Sequence, residues 1–170
     1  NISAAKMFVF FSRLMDRPVF DKQGREIGEI YDIAVRPSQV YPLSHGLIIR
    51  KGFPNRKYAL VNWQDIERSD SHEARLKIDT SQLSFGEVHD EKKELTLRRD
   101  ILDQQVVDTH NHKVIRVNDI QLLAVEQVLM IAHVDIGARG IFRRLGFDKS
   151  VDLMVKLFNP KARYLSEDRL

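Results

Sequence analysis

An internal duplication sets the terms on which this chain can fold. Residues 14–35 read LMDRPVFDKQGREIGEIYDIAV and residues 101–122 read ILDQQVVDTHNHKVIRVNDIQL, aligned without gaps at a constant offset of 87. Asp16 matches Asp103, Val19 matches Val106, Asp21 matches Asp108, Asp32 matches Asp119 and Ile33 matches Ile120. Apolar positions correspond around these identities: Leu14 with Ile101, Phe20 with Val107, Ile27 with Val114, Ile30 with Val117, and Val35 with Leu122. A repeat of this kind means one supersecondary unit used twice, and it is read before any single motif.

Each copy translates into the same local structure. Val19 and Phe20 make a short extended run, and 21–24 is a turn in which Gly24 supplies a positive φ without steric cost. A longer strand comes next, with Ile27, Tyr31, Ile33 and Val35 on one alternating face and Ile30, Asp32 and Ala34 on the other. Asn111 takes the place of Gly24 in the second copy, and Asn tolerates the left-handed region best among residues with a Cβ. Further strands are expected at 45–50 and 57–62 in the first copy and at 128–135 in the second, with Trp63 to Ile66 closing the first copy. Short strands joined by turns within about 80 residues point to a small closed or partly open β-barrel per copy.

The expected architecture is therefore mainly β: two small barrels followed by a helical pair. The first copy occupies 1–68, a linker with one strand at 74–78 occupies 69–94, the second copy occupies 95–136, and helices and tail occupy 137–170. In that last segment Ala138, Ile141, Phe142 and Leu145 recur at helical spacing, and Gly146 is placed to end the helix. A second helix over 148–158 has Asp148 or Ser150 for its cap, an apolar side of Val151, Met154, Val155 and Phe158, and Pro160 as its stop.

The total of 170 residues, 43% of them hydrophobic, supports a buried core and excludes a disordered chain. Lys and Arg number 27 against 24 Asp and Glu, a net charge of +3, which by itself points to no nucleic-acid partner. The absence of cysteine excludes disulfides, thiol nucleophiles and thiolate metal sites, and favours a reducing, cytoplasmic setting. The apolar run at 7–11 is far short of the roughly 20 residues that span a bilayer.

The stretch PVFDKQGREIGEIYDIAV resembles the opening of a PRC-barrel, the small β-barrel of the photosynthetic reaction-centre H subunit and of the ribosome maturation factor RimM. The second copy, followed by HVDIGARGIFRRLG, resembles the tandem PRC-barrel region that precedes the MgtE N domain and CBS domains in bacterial magnesium-transporter-like proteins. The resemblance spans roughly residues 7–158. It implies a non-enzymatic interaction or regulatory module linked to magnesium transport. Its partners would be the downstream MgtE N and CBS domains, and it would touch a membrane only through a transporter at the inner face. Starting at Asn1 and ending before any CBS segment, the chain reads as a portion of a longer protein. The resemblance also implies a Trp-containing strand after the second copy's helices; with the sequence ending before one, the expectation is a second barrel with an open edge suited to homodimer pairing. The alternative implied by the RimM likeness is a ribosome-assembly or RNA-associated adaptor.

Asp32 and Asp119 have the chemistry to hold a hard cation, yet a carboxylate repeated beside a branched apolar residue fits better as an acceptor for backbone N–H groups. Asp21 and Asp108 open turns. His110 and His112 flank the second turn without a third ligand, and His133, in an apolar strand, reads as a hydrogen-bonded barrel residue. No nucleophile elbow or phosphate-binding glycine loop is present, so neither catalytic nor cofactor-binding nor metal-ligating residues are assigned. The partner-binding residues are expected in the basic segment at 137–163, where Arg139, Arg143 and Arg144 share one helix face. No aromatics alternate with these charges, which disfavours single-stranded RNA.

Overall fold

The computed structural model describes residues 7–36, 43–87, 95–108, 113–125 and 128–135. These form twelve strands and two four-residue helices. In chain order they are β1 (Met7–Phe10), α1 (Phe11–Leu14), β2 (Pro18–Phe20), β3 (Glu26–Arg36), β4 (Leu43–Lys51), β5 (Lys57–Asn62), β6 (Ile66–Ser69) and β7 (Ala74–Leu76). The second copy adds β8 (Leu95–Thr96), α2 (Leu97–Asp100), β9 (Gln105–Asp108), β10 (Lys113–Arg116), β11 (Asp119–Val125) and β12 (Val128–Asp135). Ten strands share one curled mixed sheet, a half-barrel, in the order β1-β11-β12-β4-β3-β2-β7-β6, with β5 on β4 and β8 on β3. The remaining pair, β9 and β10, flanks the second turn, whose tip with His110 and His112 lies outside the described residues.

The duplication is written into the hydrogen bonds. Asp16 N–H donates to Ile30 O at 2.8 Å, and Asp103 N–H to Val117 O at 2.9 Å. Ile30 N–H returns to Arg17 O, as Val117 N–H does to Gln104 O. Asp16 and Asp103 are the two residues with a side chain that take positive φ among those described, at 61° and 62°. Aspartate is one of the few such residues that tolerate this region, which accounts for their identity. A β-bulge between Ala34 and Val35, where β3 meets β4, recurs between Gln121 and Leu122, where β11 meets β12. Leu43 of β4 pairs with Met130 of β12, its own counterpart at the same offset of 87. Two antiparallel strands that pair at equivalent residues are related by a local two-fold axis through that pair.

Around this axis the copies exchange their first elements. β1, at the head of the first copy, pairs with β11 of the second, and β8, at the head of the second, pairs with β3 of the first. α1 accordingly packs on β11 and α2 on β3. Leu14 and Ile101, Ile30 and Val117, and Ile33 and Ile120 are all fully buried, and they belong to one hydrophobic cluster that includes Phe11, Leu47, Leu97 and Leu122. Two separate barrels are thus not what the described residues form. The reason is the exchange, which gives both copies a common sheet and a common core.

Two further expectations need adjustment. Strict alternation along β3 fails at Tyr31, because β3 pairs with β4 at Ile30 and at Asp32 but skips the residue between them. The bulge leaves Tyr31 half-exposed while Ile30, Ile33, Ala34 and Val35 are all buried. The strand expected at 74–78 runs only over Ala74–Leu76, and it adds to β2 in parallel. The turn at Gly24 forms as expected, with φ at 77°. The helical pair expected in 137–158 lies outside the described residues. Among those described, no helix is long and apolar enough to cross a membrane.

Candidate functional site

The carboxylates singled out by the repeat have structural occupations. Asp32 is buried, and its Oδ1 accepts from Arg98 N–H at 2.7 Å and from its neighbour Ile33 N–H at 2.7 Å, while Oδ2 accepts from Arg99 N–H at 3.3 Å. Its counterpart Asp119 accepts from Ser12 N–H at 3.2 Å, from the Ser12 hydroxyl and from Ile120 N–H. Helices start with N–H groups that lack partners, and neither Phe10 nor Thr96, the residues at the cap positions, caps its helix with a side chain. Each helix is instead capped by the aspartate of the other copy. Burial pushes the Asp32 carboxyl above its ordinary range, although the amide bonds and the Thr96 hydroxyl pull the other way.

Asp21 anchors the first turn. It accepts from Gln23 N–H, Arg25 N–H, the Arg25 guanidinium and the Thr80 hydroxyl. Burial alone would raise its carboxyl, but the bonds from Arg25, Thr80 and Gln23 prevail and hold it well below the usual carboxylate range. A lowered folded-state value means stability that is complete above the unfolded pKa, about 3.9, and is lost as pH falls through the folded one. Acid titration of the protein followed by circular dichroism is expected to show this loss below about pH 4. The slope in that range is expected to be shallower in Asp21→Asn, which has no charge to titrate, and equal slopes would refute the assignment.

Where the first copy meets α2, aromatic and charged side chains from both copies come together. Two guanidiniums approach the Tyr31 ring, with Arg50 Cζ 4.8 Å and Arg98 Cζ 5.0 Å from its centroid, and the Tyr58 ring packs on it at 5.1 Å. Glu29 accepts from Arg50 at 2.6 and 2.8 Å and from Arg56 at 3.5 Å. Asp16, 57% exposed, lies 3.4 Å from Arg50 and 3.3 Å from Arg98. Three guanidiniums against two carboxylates leave one positive charge in excess. The half-exposed rings and hydrogen-bonding edges suit docking of a polar partner surface, while cation–π stacking holds α2 to the first copy.

The residues expected to bind partners, Arg139, Arg143 and Arg144, lie outside the described residues and are not placed relative to this cluster. His133 is described, and its Nδ1 is buried without a hydrogen-bond partner, contrary to the hydrogen-bonded role expected of it. Among the described residues no three His, Asp or Glu side chains gather as a metal site would require. The cluster at Tyr31 is not visible in the sequence, because Arg98 is 67 positions away and belongs to the other copy. Comparison with protein-family models and with curated proteins yields no match.

Proposed function

We propose that the chain is a non-enzymatic interaction or regulatory module: two PRC-barrel-like copies with a C-terminal helical pair, serving an MgtE-like, CBS-containing protein linked to magnesium transport. The observation that supports this most is the occupation of Asp32 and Asp119. The repeated carboxylates close the fold by capping helices across copies, so the repeat is explained by architecture without invoking a reaction. The half-barrel sheet is compatible with barrel-like copies that have merged through exchange. In this reading the module works at the cytoplasmic face, and its polar contacts to the downstream domains come from Arg139, Arg143 and Arg144 of the helix proposed at 138–145.

The test is a binding titration of this chain against MgtE N and CBS segments supplied in trans. Replacing Arg139, Arg143 and Arg144 together by alanine is expected to weaken association at least tenfold, since three charge-assisted contacts are lost. The far-ultraviolet circular dichroism spectrum should be unchanged. Association at full strength in the triple variant would overturn the assignment.

A further inference from the structure

The β4–β5 hairpin carries a pattern that the fold uses only in part. Its sequence from Arg50 is RKGFPNRK, four cations around a single aromatic. Arg50 is engaged by Glu29, Asp16 and Tyr31, and Arg56 reaches Glu29 at 3.5 Å. Lys51 and Lys57 sit directly opposite each other in the strand register, closing the loop. Lys51 Nζ lies 3.7 Å from the centroid of the Phe85 ring, but no carboxylate among the described residues pairs with either lysine. Like charges facing across strands destabilise a hairpin, and the Phe85 ring engages only Lys51, which leaves the exposed Lys57 charge without a role in folding. Between them Gly52 turns the chain at φ 81°, where an added Cβ would lie 2.6 Å from Asn55 O. At the tip Phe53 is 85% exposed, more than any other large apolar side chain described, with Arg56 5.4 Å from its ring.

We propose that this hairpin tip docks the protein on an anionic lipid bilayer, with Phe53 entering the interface and Lys51, Arg56 and Lys57 meeting headgroup phosphates. An isolated exposed apolar residue is ordinary, but one at the tip of a loop ringed by cations in excess of their carboxylates is complementary to a surface that is anionic outside and apolar just beneath. The knob is convex and has one ring. Single-stranded RNA is held by several rings along a groove, and a protein partner would need a pocket shaped to this ring, whereas a bilayer accepts a protruding ring without one. This inference stands on the hairpin alone and does not depend on the family reading.

Flotation of the whole chain with vesicles tests it. Binding is expected to vesicles of phosphatidylcholine with about 30% phosphatidylserine, to weaken steeply as salt rises, and to be absent with phosphatidylcholine alone. Phe53→Ser is expected to weaken it roughly tenfold. Lys51→Gln combined with Lys57→Gln should weaken it by about fivefold per charge. Lys57→Gln alone relieves the like-charge pair while keeping the Lys51 contact with Phe85, so it should melt no lower than the parent. The proposal is overturned by equal binding to both vesicle types, by full binding of Phe53→Ser or of the double lysine variant, by a lower melting point of Lys57→Gln, or by binding to single-stranded RNA in place of vesicles.

Discussion

Residues 1–87, produced without the second copy, are expected to be no stable folded monomer, and to recover a cooperative melt when mixed with residues 88–170. In the intact chain β3 is completed by β8 and α2, and β1 lies on β11, so the cut leaves both an unfilled sheet edge and an orphaned strand in the first fragment. It also removes Leu97, Ile101, Val117, Ile120, Leu122, Leu129 and Ile131 from the common core. Burial of one such side chain contributes about 1.5–3 kcal/mol, so the seven together carry on the order of 10 kcal/mol. A protein of this size is stable by only about 5–15 kcal/mol. Size exclusion and thermal denaturation of each fragment, alone and mixed, read the outcome. The fragment carries its own donor, β1–α1, and its own acceptor edge on β3, so a homodimer that exchanges these elements agrees with the same architecture. A cooperatively melting monomer of 1–87 would contradict it.

The same exchange separates what could be read in the sequence from what could not. The duplication was legible because five identities fall at one offset, and the local devices it entails, the turn at Gly24 and strands such as Lys57–Asn62 and Val128–Asp135, depend on residues close in the chain. That Asp32 and Asp119 would accept backbone N–H groups was also legible from their placement. Which backbone they would serve was not. Both copies offer β3-like edges and β1-like strands of similar chemistry, so local sequence cannot say whether a strand pairs within its copy or across to the other. The helices α1 and α2 are a single turn each, too short to show a 3.6-residue period. The position of Tyr31 escaped for a different reason: a bulge adds one residue to β3 and reverses the face of the residues after it, and nothing in IYDIAV announces it.

The interlock has a weak link that a single substitution reaches. Asp32→Ala is expected to destabilise the protein by about 3 kcal/mol, because it removes the buried acceptor of the half-buried Arg98 and Arg99 N–H groups, at about 1–3 kcal/mol for each donor that loses its acceptor. For a chain of this length that corresponds to a melting point lower by roughly 6–12 °C. Asp119→Ala removes the equivalent cap at a more exposed site, and about 1 kcal/mol is expected from it. The pH dependence distinguishes a buried cap from an ordinary surface carboxylate. With its folded-state pKa raised by burial, Asp32 contributes its ionisation-linked stability in full below the unfolded value, about 3.9, and loses it as pH rises through the folded one. The deficit of Asp32→Ala should therefore be largest below about pH 3.9 and shrink as pH rises, opposite in sign to Asp21→Asn. Urea denaturation of both aspartate variants across that range decides it. A loss for Asp32→Ala below about 0.5 kcal/mol, as for an uninvolved surface residue, would mean that the exchanged helices are held by packing alone.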